Sequence, residues 1–203
     1  MAASTSEQVI ALYERHAHAW DADRGRRLGP EKLWLDRLVS LLPRGAPVLD
    51  IGCGSAEPMA KHLIEQGLEV SGIDASPTMI SICRGRFPGR EWVVADMRAL
   101  SLGRRFRGLV AWDSFFHLPH EDQRRMFPVF RAHAAPGASL LFTSGPSHGE
   151  AIGDYRGEPL YHASLAASEY RSLLLSNGFD VVAHATEHPD RGGHTVWLAR
   201  LER

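Results

Sequence analysis

Apolar positions change period twice along the chain. Val9, Leu12, Tyr13, His16 and Trp20 recur at helical spacing. The stretch Arg24 to Pro30 interrupts them with two glycines and a proline, and Leu33, Leu35, Leu38, Leu41 and Leu42 resume the pattern up to Pro43. Two helices are therefore predicted before the first strand. From Pro47 short apolar runs alternate with helical stripes. Val48 to Ile51 ends at Gly52, Val70 to Ile73 at Asp74, Trp92 to Ala95 at Asp96, and Leu109 to Trp112 at Asp113; Ser139 to Thr143 makes a fifth run. Between them Met59, Leu63 and Ile64, then Met79, Ile82 and Cys83, mark helices. Ser76-Pro77 starts the second of these, because a hydroxyl caps and proline suits the first turn. Gln123 to His133 is a further helix that Pro128 should kink, and Pro136-Gly137 reads as a turn. Gly145 to Leu165 reads as a loop-rich insertion. Tyr170, Leu173 and Leu174 give a last helix closed by Asn177-Gly178, and Asp180 to Ala185 with Thr195 to Leu201 form a final hairpin.

Alternating strands and helices imply an α/β fold: a Rossmann-like doubly wound sheet of seven strands, mostly parallel, with a C-terminal antiparallel hairpin. One domain over residues 1–203 is expected, with 1–43 as an N-terminal helical cap and 145–166 as an insertion after the fifth strand. Composition sharpens this. The chain has 203 residues, 44% hydrophobic and 23% charged, so it buries a core. Its formal net charge of -1 argues against a nucleic-acid partner, which needs a basic excess. No run is apolar enough for a membrane span, and Met1 to Gln8 has no signal-peptide core. Two cysteines, Cys53 and Cys83, make no disulfide framework, which points to the reducing cytoplasm.

In such sheets ligands sit at the carboxyl ends of the strands. Those ends carry Gly52-Cys53-Gly54, Asp74, Asp96 and Trp112-Asp113. Glycines after the first strand let main chain approach a ligand. An acidic residue about 20 positions on suits two ribose hydroxyls, and Asp74 is there. Glu57 stands where a dinucleotide loop has its third glycine, and a carboxylate there would repel a pyrophosphate. The loop thus suits a nucleoside without phosphates.

These residues resemble a known family. Val48-Leu49-Asp50-Ile51-Gly52-Cys53-Gly54 looks like motif I of class I S-adenosylmethionine-dependent methyltransferases, and Gly72 to Ser76 like their second motif. Ala95-Asp96-Met97 resembles their adenine-binding motif, and Phe115 to Pro119 the segment after their fourth strand. The nearest resemblance is to small stand-alone bacterial members. One departure is Ala56 in place of the third motif I glycine, which narrows the helix entry. The resemblance implies S-adenosylmethionine as cofactor. Gly52, Cys53 and Gly54 would approach its methionine part, Asp50 would orient the loop and the ammonium group, and Asp74 with Ala75 would hold the ribose. Asp96 and Met97 would hold adenine, and Trp112 would lie near the sulfonium. Tyr13, Trp20 and Arg24 would cover the site, Arg24 reaching the cofactor carboxylate or an acidic substrate. Met79 reads as core.

Methyl transfer from a sulfonium needs mainly in-line positioning. Where the acceptor must lose a proton, Asp113, His117, His148 and Tyr161 are the candidate bases. The partner expected is a small-molecule methyl acceptor, with the protein a monomer or homodimer. His117, His120, His184 and His188 lack the spacing of converging metal ligands, so no metal is expected. Two competing readings are an NAD(P)-linked oxidoreductase, opposed by Glu57 and by the absence of a Tyr-x-x-x-Lys pair, and a non-catalytic S-adenosylmethionine-binding protein.

Overall fold

In the computed structural model, which describes residues 6–186 and 195–202, helices α1 (Ser6–Arg24) and α2 (Glu31–Ser40) precede strand β1 (Pro47–Ile51). There follow α3 (Met59–Glu65), β2 (Glu69–Asp74), α4 (Pro77–Arg86), β3 (Glu91–Val94), β4 (Phe106–Ala111), α5 (His120–His133) and β5 (Ala134–Ser144). Then come β6 (Gly149–Tyr155), β7 (Glu158–Ser164), α6 (Ala167–Ser176), β8 (Phe179–Thr186) and β9 (Thr195–Leu201). Seven strands make one sheet in the order β3-β2-β1-β4-β5-β9-β8. β1 to β5 pair in parallel, while β9 runs antiparallel to both β5 and β8. This is the doubly wound fold expected from the alternation. The crossovers leave β1 in opposite directions, toward β2 and toward β4, which opens a crevice at their carboxyl ends.

The two-residue period of the strands divides the core. Val48, Val110, Leu141 and Val196 face α2, α3 and α4 through Leu35, Leu38, Leu63 and Ile80. Leu49, Ile51, Leu109 and Phe142 face α5 and α6 through Phe127, Phe130, Tyr170 and Leu174. Phe115 is fully buried in that second layer, edge-on to Phe127 and Phe142 at 6.0 and 5.4 Å between ring centroids. Burying such a ring is worth about 1.5–3 kcal/mol, and here it pins the segment after β4 that carries Asp113 and His117.

Local chemistry accounts for the element ends. Ser76 Oγ accepts the Met79 N–H at 3.1 Å and caps α4. Gly178, at φ +77, closes α6. α5 continues through Pro128 as one helix. Pro136-Gly137, expected to be a turn, is instead an irregularity within β5. The register there jumps from Phe106↔Ala134 to Gly108↔Ser139, and Gly137 takes φ +74.

The largest departure from expectation is the insertion. It is not a loop: β6 and β7 form a two-stranded antiparallel sheet of their own, from Gly149↔Ser164 to Tyr155↔Glu158. Arg156 (φ +55) and Gly157 (φ +82) are both left-handed, the two-residue turn whose twist matches a hairpin. Of the two N-terminal helices, α2 packs into the sheet core through Trp34, Leu35 and Leu38, and α1 lies over the strand ends. Among the described residues no helix is long and apolar enough to cross a membrane.

Candidate active site

One cavity lies at the crevice. It gathers Asp50, Gly52, Cys53 and Gly54 from β1 and its loop, Asp74 and Ala75 from β2, Asp96 and Met97 after β3, and Trp112, Asp113 and His117 after β4. Tyr13, Trp20 and Arg24 on α1 line its cover. All the residues nominated from sequence meet here except Tyr161 and His148. Met79, read as core, is buried and also lines the cavity.

The floor is main chain. Gly52 sits at φ +74, and a Cβ there would stand 2.4 Å from Ser114 Cβ. Ser114 Oγ donates to Ile51 O at 2.7 Å, tying the loop after β4 to β1. Gly54, at φ +52, lies under the Trp20 ring, whose nearest atoms would be 3.0 Å from an added Cβ. Ala56 is left-handed, at φ +68, a strain of about 1–2 kcal/mol for a residue with a Cβ.

The walls are acidic. Asp74 Oδ2 accepts from Gly54 N and its Oδ1 from Ser76 N, both at 2.9 Å, so its carboxylate organises the loop as well as facing the cavity. Burial nevertheless pushes its pKa up. Asp50, beneath it, is pushed up to about 7 by burial and then by the charge of Asp74. Two carboxylates at the cavity, Asp50 buried and Asp74 partly exposed, with little cationic compensation favour a ligand carrying positive charge. Asp96 caps the turn Met97–Ala99 by accepting from Arg98 N at 2.9 Å, and the Arg98 guanidinium grips the same carboxylate at 2.5–3.0 Å.

Glu57 behaves differently from expectation. It also lines the cavity, but Arg26 and Lys61 lie 3.2 Å from it and Arg86 3.4 Å. These cations offset its charge, so repulsion of a pyrophosphate is not an argument the structure supports.

His117 has its tautomer set by geometry. Nδ1 lies 2.9 Å from Tyr161 O, a carbonyl that only accepts, so Nδ1 carries the proton. Nε2, 3.0 Å from Tyr13 Oη, therefore accepts the phenolic proton. Burial drives the His117 pKa down to about 3 and raises that of Tyr13. The basic nitrogen of His117 is thus engaged by Tyr13. Asp113 sits at φ +48, its N–H donating to Thr143 Oγ1 at 2.9 Å and Oδ2 3.8 Å from Arg24. Arg24 is also 3.8 Å from Glu31.

Tyr161 contributes its carbonyl. Its ring packs with Val9 and Leu12 of α1 and does not line the cavity. His148 stacks on His120, ring centroids 4.5 Å apart, along a separate groove with Phe116 and His162. His120 bonds Gly149 O and Ser164 O, both at 3.1 Å, and so diverges from His117. His184 packs on Trp197, and His188 lies outside the described residues. Among the described residues no group of three or more His, Cys, Asp or Glu side chains is placed to hold a metal.

Sequence reasoning missed how α1 is held. Glu14 accepts from Ser76 Oγ, from Thr78 Oγ1 at 2.7 Å and from Thr78 N at 3.2 Å, capping α4 from another helix. Asp21 takes both arms of Arg86 at 2.5–2.6 Å. On the other flank Asp23 accepts from Tyr155 Oη at 3.0 Å and Arg156 at 2.9 Å, and Glu158 meets Arg15 and His16. α1 is thus pinned between α4 and the β6–β7 hairpin.

The family profile described as a methyltransferase domain matches residues 48–137, the span from motif I to the bulge in β5. Over that span the chain is similar to methyltransferase domains. One relative is the dTDP-3-amino-3,6-dideoxy-alpha-D-glucopyranose N,N-dimethyltransferase of Streptomyces fradiae, 33% identical over 101 residues, 49% of this chain and 39% of that protein. The chain spans about half the length of the curated relatives it matches. Among solved structures, the 1,6-didemethyltoxoflavin-N1-methyltransferase of Burkholderia thailandensis, with 1,6-didemethyltoxoflavin and S-adenosylhomocysteine bound, superposes with a TM-score of 0.71 at 19% identity, over 100% of this chain and 92% of that one. An S-adenosylmethionine-bound amino pentose methyltransferase from Micromonospora echinaspora superposes with a TM-score of 0.69 at 19% identity, over 90% and 95%. At these identities the structural neighbours establish the fold.

Proposed function

We propose that this chain is a methyltransferase that moves a methyl group from S-adenosylmethionine to a small-molecule acceptor by in-line transfer. The observation that carries the reading is the convergence of Asp50, Asp74 and Asp96, at the ends of three neighbouring strands, on one cavity floored by Gly52 to Gly54. The acidic walls fit a cofactor bearing a sulfonium and an ammonium. When bound, that cofactor supplies an already electrophilic methyl group, so the protein's work is positioning. Asp74 keeps lone pairs for two ribose hydroxyls after serving Gly54 and Ser76. Asp96, held by Arg98, faces adenine with Met97. Asp50 receives the ammonium, Arg24 the carboxylate, and Trp112 flanks the sulfonium.

His117 holds the Tyr13 phenol in place, its own lone pair being spent on that bond. Asp113 is the group left to accept a proton from the acceptor. α1 and the β6–β7 hairpin bound the acceptor space as short cover elements of one domain, which suits a small molecule, as does the amino-sugar acceptor of the Streptomyces fradiae relative. Two free, buried cysteines accord with work in the reducing cytoplasm, as a monomer or homodimer.

The test is calorimetry followed by a product assay. S-adenosylhomocysteine should bind with micromolar affinity and NAD should give no heat; tight NAD binding without a response to S-adenosylhomocysteine would overturn the reading. Labelled S-adenosylmethionine with a panel of amines, phenols and amino sugars should then yield a labelled small product. Asp74→Ala should weaken S-adenosylhomocysteine by about 2–3 kcal/mol, roughly 30–150-fold, since each charge-assisted bond is worth ~1.5–3. A folded variant with unchanged affinity would remove Asp74 from the site.

A further inference from the structure

Cys53, in the loop after β1, and Cys83, on α4, are free thiols close enough to interact with each other. Both approach one carbonyl, Gly54 O, at 3.7 Å from Cys53 Sγ and 3.1 Å from Cys83 Sγ. Space for the pair is made by Gly72 on β2, where a Cβ would stand 2.9 Å from Cys53 Sγ and 2.4 Å from the Trp92 ring. Cys83 has no exposed surface, whereas Cys53 lines the cavity. A small solute therefore reaches the pair from one side only, through the space assigned above to the cofactor.

We propose that Cys53 and Cys83 are a dithiol modification site, closed to a reversible disulfide by peroxides when the cavity is empty. The Cys53 sulfur attacks the O–O bond of hydrogen peroxide, becoming a sulfenic acid with release of one water. Cys83 attacks that sulfur, and the sulfenic oxygen leaves as a second water. Two thiols thus lose two electrons and two protons to one peroxide. Burial raises the Cys53 pKa, with smaller pushes from Asp74 and Asp50, which makes the first step slow. The pair is a response to sustained oxidant, not a fast sensor. Closure takes the Cys83 thiol proton away from Gly54 O. The amide of the same residue serves Asp74, so the floor of the cavity changes with it.

Protection by ligand rests on the cofactor reading; formation of the bond does not. The full chain, reduced and free of ligand, is incubated with hydrogen peroxide, alkylated, digested and mapped by mass spectrometry. The expected result is a protein lighter by two hydrogens, a linked Cys53–Cys83 peptide, recovery with dithiothreitol, and weaker S-adenosylhomocysteine binding before recovery. Saturating S-adenosylhomocysteine should slow formation by roughly tenfold or more, since only ligand-free molecules react. In Cys83→Ser a dimedone adduct should accumulate on Cys53. Wild-type protein that goes to sulfinic or sulfonic acid at Cys53 while Cys83 is fully alkylated, or that keeps both thiols, would overturn the proposal. Disulfide formation in a protein whose reduced form gives no calorimetric response to S-adenosylhomocysteine would uphold the thiol pair and refute the cofactor reading.

Discussion

Gly52→Ala is expected to lower unfolding stability by about 3–4 kcal/mol. Two costs add. A Cβ at φ +74 is worth ~1–2 kcal/mol of backbone strain, and placing it 2.4 Å from Ser114 Cβ forces a packed segment to move, for ~1–3 kcal/mol more. Ser114 has no room to retreat, because its hydroxyl bonds Ile51 O and the next residue, Phe115, is fixed in the aromatic layer. In urea the midpoint should fall by roughly 1.5–2 M, taking a slope near 2 kcal/mol per molar. Ser114→Gly in the same background should give a favourable coupling of about 1–3 kcal/mol, the packing part, leaving the strain. A midpoint within error of wild type would mean that the loops after β1 and β4 do not touch as described.

Asp50→Asn should separate stability from binding. The folded pKa of Asp50 is about 7, against about 4 for a free carboxyl. The native state therefore holds the proton more tightly than the unfolded chain. That contribution is fully present below pH 4 and is lost as pH rises through 7, the loss reaching about 4 kcal/mol at most by pH 8. Asp74, also raised by burial, adds in the same direction. The amide of the substituted side chain imitates the protonated acid at every pH. The ligand-free variant should thus be more stable than wild type at pH 8 and about equal at pH 4, while its affinity for S-adenosylhomocysteine falls. Denaturation curves at the two pH values decide. A wild type equally stable at both, or a variant weaker at pH 8, would show that Asp50 is already charged in the folded protein.

What can be read from the chain is what neighbours in sequence determine. Gly52 to Gly54, Asp74, Asp96 and Asp113 each follow directly on an apolar run, so the fold places them at one edge as soon as the strands are recognised. The β6–β7 hairpin escapes such a reading because its first strand is mostly exposed and carries no alternation, and because Arg156-Gly157 is an uncommon form of its turn. Tyr161 is misplaced by parity. In a strand successive side chains oppose one another, so its neighbour His162 meets the His117 ring at 4.8 Å while Tyr161 turns to α1. Glu14 and Asp21 leave no periodic trace at all, since their partners on α4 lie more than sixty positions away.

The β6–β7 hairpin has its two ends side by side. Ser164 Oγ donates to Gly145 O at 3.2 Å, and a Cβ on Gly145 would come within 3.1 Å of Ser164 Cβ. Neither of its strands pairs with the main sheet. A segment that leaves and re-enters the fold at one point, with its own ladder, adds little closure entropy when lengthened. It is a graft site: β5 and α6 keep their places whatever is carried between them. Exchange of that one cassette therefore changes what α1 packs against without renegotiating the sheet that positions Asp50, Asp74 and Asp96.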